Sequence, residues 1–277
     1  MNENKELDIV KEVAKEVAND IYADGGKPVV QPTGELIGLV PRAIKAALLP
    51  LEKWVLQREY NVAEIKKLLE EKLQNTPAEL IEPPAPHIAV PAMQYISYSM
   101  DNEELRDMYA NLLANSMNKI VKNGVHPGFV EIIKQLSPDE AKILKYMHTN
   151  SSIPTITLRY VNKEGGGVDI VKNFSNIGEI TKCEMPDNAA MYFNNMVRLG
   201  LLYDADGMFS FTDKTRYDPL KNHPQITHYA QDDIAKARGF DKFEFTESVI
   251  KLSEYGRKFC DICITPENIF HVVVTND

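Results

Sequence analysis

Cysteine is scarce: three residues, Cys183, Cys260 and Cys263, in a chain of 277. An odd count this low in a chain this long excludes a disulfide framework and fits a reducing cytoplasm. No secretory h-region opens the sequence. Long apolar runs are lacking too. The nearest candidate, Leu36 to Leu56, contains Arg42, Lys45, Glu52, Lys53 and two prolines, which makes it a poor membrane span. There is no basic excess. The formal charge is −9, with 15 basic against 20 acidic residues up to Leu136 and 16 against 20 after it. An acidic surface repels phosphate backbones and anionic lipid heads, so nucleic acid is the disfavoured partner. Catalytic signatures are missing as well. No G-x-S-x-G, HExxH or nucleotide fingerprint occurs, and Gly165-Gly166-Gly167 lacks the following Lys-Ser/Thr and helix of a phosphate cradle and reads as a loop. The expectation is a non-enzymatic chain with no cofactor and no small-molecule substrate.

Caps, apolar spacing and turn signals agree best from Pro83 to Met147. Leu105, Met108, Tyr109, Leu112, Leu113, Met117, Ile120 and Val121 form a stripe at helical steps. Asp101 and Glu104 are spaced as a capping box at its start, and Asn123-Gly124 marks its end. His126-Pro127 opens a second helix with Phe129, Ile132, Ile133 and Leu136 inward. Ser137-Pro138-Asp139-Glu140 is a second capping box, opening a third helix that buries Ile143, Leu144 and Met147. Loops of a few residues make these three helices near neighbours.

Before this stretch, Glu3 to Ile21 has the pattern of an amphipathic helix, Asp24 to Gly34 is turn-rich, and Glu35 to Leu49 reads as a further helix. Pro50 heads another, with Leu51, Trp54, Val55, Val62, Ile65, Leu68 and Leu69 on one side. Thr76 to Glu79 marks a short helix, and Glu82 to Pro86 an extended connector.

After Met147 the composition turns to β-formers. Ile153–Val161 and Val168–Val171 make a hairpin around the glycines. Asp187 caps a helix carrying Ala190, Phe193, Met196 and Val197, ended by Gly200. Leu201–Tyr203 and Met208–Phe211 flank Asp206-Gly207, a second hairpin signal. A helix over about 226–238, a strand from Lys242 to Leu252 and a closing helix begun by Ser253 complete the chain. This order, and the phrases NNMVRLGLLYD and KLSEYGRKF, resemble a winged-helix domain. The fold class expected is mostly α: an N-terminal helical domain over 1–150, then a smaller α+β winged-helix-like domain over 151–277.

The segments AALLPLEKWV, PAMQYISYS, DNEELRDMYANLLANSM and VHPGFVEIIKQLSPDEAKIL together resemble the Abi-alpha family of bacterial abortive-infection-associated proteins, closely over about the first 150 residues. The resemblance implies an association with phage defence and carries over no catalytic residue.

Four sets of residues merit scrutiny. His126, Asp101, Glu104 and Arg106 form a candidate polar cluster, since a histidine beside a carboxylate can act as a general base; their competing role is to cap and pair helix ends. Cys260 and Cys263 have the spacing of a metal pair, with Cys183 and His271 as completing ligands, but small core residues on a final helix look the same, and no metal is expected. Asn188, Asn194, Asn195 and Arg198 would contact bases if the helix from Asp187 entered a major groove. The N-terminal amphipathic helices could lie on a membrane surface, although mixed charges on their polar faces favour packing into a core. The leading reading is an interaction protein of phage defence whose partner is a protein, phage-encoded or a second copy of the chain. The alternatives are a DNA-binding regulator and a membrane-active effector.

Overall fold

The computed structural model describes residues 62–264. The helices expected before Val62, the Leu36–Leu56 stretch and His271 lie outside the described residues. The described chain is α+β, with eleven α-helices and one four-stranded antiparallel sheet. It divides into two compact units, residues 62–134 with 262–264 and residues 135–261, a different division from the one expected at residue 150.

The first unit holds α1 (Val62–Leu73), α2 (Pro86–Tyr98), α3 (Glu103–Met117) and α4 (Gly128–Lys134). Helix α3 is its centre, and every residue from Met108 to Met117 is buried, so it is enclosed all round rather than along one stripe. Around it lie Ile65, Leu69 and Leu73 of α1, Met93 and Ile96 of α2, and Phe129 and Ile133 of α4, all buried. Each such side chain contributes about 2 kcal/mol of burial free energy. Two polar residues in α3, Asn111 and Asn115, sit one turn apart, and their Nδ2 atoms donate to the carbonyls of Cys263 (3.0 Å) and Ile262 (2.7 Å).

Two expectations for α3 are corrected. Asn102, not Asp101, is its N-cap: the Asn102 side chain accepts from Leu105 N at 3.0 Å, and Asp101 is exposed one residue earlier. The helix also stops at Met117 instead of running to Val121. There the backbone turns extended and pairs with the segment before α2: Glu82 N donates to Met117 O and Lys119 N to Leu80 O, both at 2.9 Å. That pairing outcompetes another helical turn and leaves Ile120 56% exposed.

The second unit opens with α5 (Pro138–Asn150), whose expected capping box is present in both directions. Strands β1 (Ser152–Val161) and β2 (Gly167–Phe174) form the expected hairpin. Then come α6 (Ile177–Ile180), α7 (Ala189–Arg198), β3 (Leu202–Asp204), the short helices α8 (Asp218–Lys221), α9 (Pro224–Thr227) and α10 (Asp232–Ala237), β4 (Lys242–Leu252) and α11 (Glu254–Cys263). Strand order is β2-β1-β4-β3. Ile156, Leu158 and Tyr160 of β1 pack with Tyr217, Leu220, Ile226 and Ala235 from the segment of short helices.

Three further expectations change here. The turn at Asp206-Gly207 forms, with both residues at positive φ, but Met208–Phe211 is not a strand. β3 pairs instead with the distant β4, Leu202 opposite Leu252, and Phe209 lies over Tyr203 with rings 6.0 Å apart and 11° from parallel. The helix expected over 226–238 is two short helices, α9 and α10. Helix α7 starts after a 3-10 turn, Pro186–Asn188, with no side-chain cap, so Asp187 does not cap it. Gly200 ends α7 as expected, at φ +76°.

Candidate functional site

The loop and helix from Cys183 to Arg198 are fixed by the first turn of α5. The carboxylate of Asp139 is buried and accepts four hydrogen bonds: Glu184 N (2.8 Å) and Lys142 Nζ (3.3 Å) on Oδ1, Met185 N (3.0 Å) and Tyr192 Oη (2.9 Å) on Oδ2. Burial alone would raise its pKa, but the amides of Met185 and Glu184, the Tyr192 hydroxyl and Lys142 outweigh it and hold the carboxyl below its ordinary value. Burial, and then the bond to Asp139, push Tyr192 up to about 12. Glu140 adds a second tie, its Oε1 accepting from Asn195 Nδ2 at 2.7 Å.

This anchoring decides which side chains α7 presents. Asn195 also donates to Gln135 O at 3.0 Å, and Arg198 is held by Gln135 Oε1 (3.1 Å) and Asn195 Oδ1 (2.7 Å). Two of the four residues named as base contacts are therefore bonded to the protein itself. Asn188 is half-buried at the start of α7, and Asn194 is exposed. The exposed positions at helical spacing are Met191, Asn194, Val197 and Arg198. Met191 is 57% exposed and Val197 38%; Met185, in the loop just before, is 57% exposed.

The polar set around His126 is spread along the first unit. Asp101, Glu104 and Arg106 lie at the start of α3, and Arg106 Nη1 donates to Met100 O at 3.1 Å. His126 follows the far end of α3, a helix about 22 Å long, and precedes α4. Its Nδ1 accepts from Gly128 N at 3.0 Å, and its ring leans on Phe129 at 5.8 Å. All three cysteines are buried free thiols. Burial pushes Cys260 and Cys183 up, so neither is an activated thiolate. Among the described residues no group of three or more His, Cys, Asp or Glu is placed to hold a metal ion. No helix among them is long and apolar enough to cross a membrane.

The second unit also contains a cavity of about 420 Å³ between the end of β2, α6, the start of α7 and α9, with Arg238 at its edge. Phe174 and His223 form one wall, their rings 4.9 Å apart at 48°. His223 Nδ1 accepts from Gln225 N at 3.3 Å, so the ring proton is on Nε2, which donates to Glu179 Oε1 at 2.8 Å. Both ring nitrogens are thus hydrogen-bonded, which fixes the orientation of this wall. Ser175 lines the cavity at 5% exposure, and its hydroxyl has no hydrogen-bond partner among the described residues. None of these residues stood out in the sequence. The signal open to sequence reading was weak: a Phe-Ser-Asn run at the end of a β-strand, Phe174 to Asn176, and a distant His-Pro pair, His223-Pro224.

In this α+β chain α7 buries Ala189, Tyr192, Phe193 and Met196 and leaves Met191 and Val197 in solvent, in the same unit as a cavity of small-ligand size. The family can be stated. The model of the family described as Abortive infection alpha matches residues 57–263, most of the chain, and the chain belongs to that family. The resemblance read from the residues is borne out, and with it an abortive-infection setting. No curated protein matches the chain. A solved structure of an uncharacterized protein from the hydrocarbon-degrading marine bacterium Alcanivorax borkumensis SK2 is similar at 20% identity, over 50% of this chain and 92% of that one, with a TM-score of 0.34. A likeness this slight carries no argument.

Proposed function

We propose that the chain acts in abortive infection as a cytoplasmic interaction protein that catalyses no reaction and engages a protein partner through the exposed side of α7. The observation that carries this reading is that Met191, Val197 and the neighbouring Met185 face solvent, while Asn195 and Arg198 are drawn back onto the α5 region. Exposed apolar side chains grouped on one element favour a protein surface as partner. The polar groups that could have done chemistry have structural work. His126 and His223 each accept a backbone amide, and Asp139 and Glu140 hold α7 and its loop.

The sequence of elements α5, β1, α6, α7, β3, β4, with strands ordered β1-β4-β3, supports reading the second unit as winged-helix-like. On that reading β2 is an added strand, and residues 205–241 are an insertion where a wing would be. A DNA-binding role has less support, because groove-reading helices present free polar and basic side chains, and here the one arginine is bonded to Gln135 and Asn195.

The test is phage challenge of cells expressing the chain. Met185→Asp with Met191→Asp is expected to abolish protection while the purified variant keeps its melting temperature, and His126→Ala is expected to protect as the parent does. Full protection by the double variant would overturn the docking surface; loss of protection in a folded His126→Ala variant would reopen catalysis.

A further inference from the structure

We propose that the cavity of the second unit binds a 5′-mononucleotide, a planar heteroaromatic base carrying hydroxyls and one phosphate. Its volume of about 420 Å³ falls in the range of small-ligand sites. It offers three kinds of recognition. The first is aromatic: Phe174 and His223 meet at 48° as a corner of two rings, and a base stacks on such surfaces whatever its identity. The His223–Glu179 bond and the Gln225 amide fix the orientation of that corner before a ligand arrives.

The second is hydrogen bonding without internal partners. Ser175 lines the cavity, the residue as a whole being 5% exposed, and its hydroxyl has no hydrogen-bond partner among the described residues and is open to a ligand there. Asn176, beside it, stands at the N-cap position of α6 and makes no capping bond, so its amide is also available. These two residues present donors and acceptors suited to a base edge. The remaining oxygen of Glu179 can accept from a sugar hydroxyl.

The third is charge. Arg238 lines the cavity with no carboxylate partner among the described residues; its one cation contact is with the Tyr160 ring at 5.8 Å. An exposed guanidinium beside a cavity is a ready phosphate ligand. Lys172 adds a second positive group, held only by an exposed 3.5 Å pair with Asp206. Aromatic corner, unpartnered hydroxyl and amide, and unpaired arginine together match the three parts of a nucleotide, where phosphate alone would leave the rings and Ser175 unused. This inference does not depend on the partner reading.

The experiment is isothermal titration calorimetry on the full chain with AMP, GMP, CMP and UMP, with the four nucleosides and inorganic phosphate as part-ligands. At least one mononucleotide should bind with Kd below about 1 mM, and its nucleoside about tenfold more weakly. Arg238→Ala, a change at an exposed side chain, should weaken the mononucleotide to the level of its nucleoside and leave the nucleoside unchanged. Ser175→Ala should weaken both. Absence of binding by all four, phosphate binding as tightly as any nucleotide, or nucleotide binding that neither variant alters would each overturn the assignment.

Discussion

Asp139 shows how one side chain can hold a surface in place. Its four donors come from a lysine one helical turn along, two loop amides and a tyrosine of α7. Asp139→Asn replaces one oxygen with a donor facing donors, so two bonds are lost inside a buried site. A loss of about 3 kcal/mol is expected in urea unfolding. The pH dependence has a definite sign. The folded carboxyl lies below its ordinary 3.8, so its contribution is complete above that pH and falls away as acid drives pH down through the folded value. The parent should therefore lose stability below pH 3.8 more steeply than Asp139→Asn. The Ser137–Glu140 capping box is legible in the sequence, but the role of Asp139 is not, since three of its four donors lie 45 to 53 residues away. Asp101 and Asn102 show the opposite limit. Both can cap, and the choice between them rests on one residue of register that spacing does not resolve.

Among elements, the pair α6 and α7 depends on a close approach. Gly178 of α6 lies so near the backbone of Pro186 that an added Cβ would sit 2.6 Å from the Pro186 Cα. Gly178→Ala is expected to cost about 2 kcal/mol in thermal unfolding, by forcing the 3-10 turn before α7 outward. The same change should weaken mononucleotide binding, because Pro186 and Ala189 line that cavity. Strand β3 illustrates a local signal overruled. Asp206-Gly207 makes its turn, yet the segment after it folds its aromatic ring onto Tyr203, with Lys251 Nζ 5.1 Å from both rings, while β4 takes the ladder. A strand eleven residues long that already pairs with β1 over ten positions is the stronger template.

For the whole molecule, the charge of −9 bears on how a partner is held. An apolar contact through Met185, Met191 and Val197 should survive high salt. Binding to nucleic acid would fall steeply, by about a thousandfold or more between 50 and 200 mM salt for six or more phosphate contacts. Capture of the partner from infected cells at 500 mM NaCl is thus expected to succeed as well as at 100 mM, and loss of the complex would favour a charged surface.

The sequence by itself determined where α5 begins, the β1–β2 hairpin, the span of β4 and the family. These follow from residues within a few positions of each other: Ser137 with Glu140, the glycines after Val161, β-branched runs. The tertiary structure alone decided where α3 ends, which strand β3 joins, which side of α7 meets solvent, and that Phe174, Ser175, His223 and Arg238 share one cavity. Each of those outcomes depends on groups far apart in sequence competing for the same backbone or the same space, and composition and periodicity carry no record of that competition.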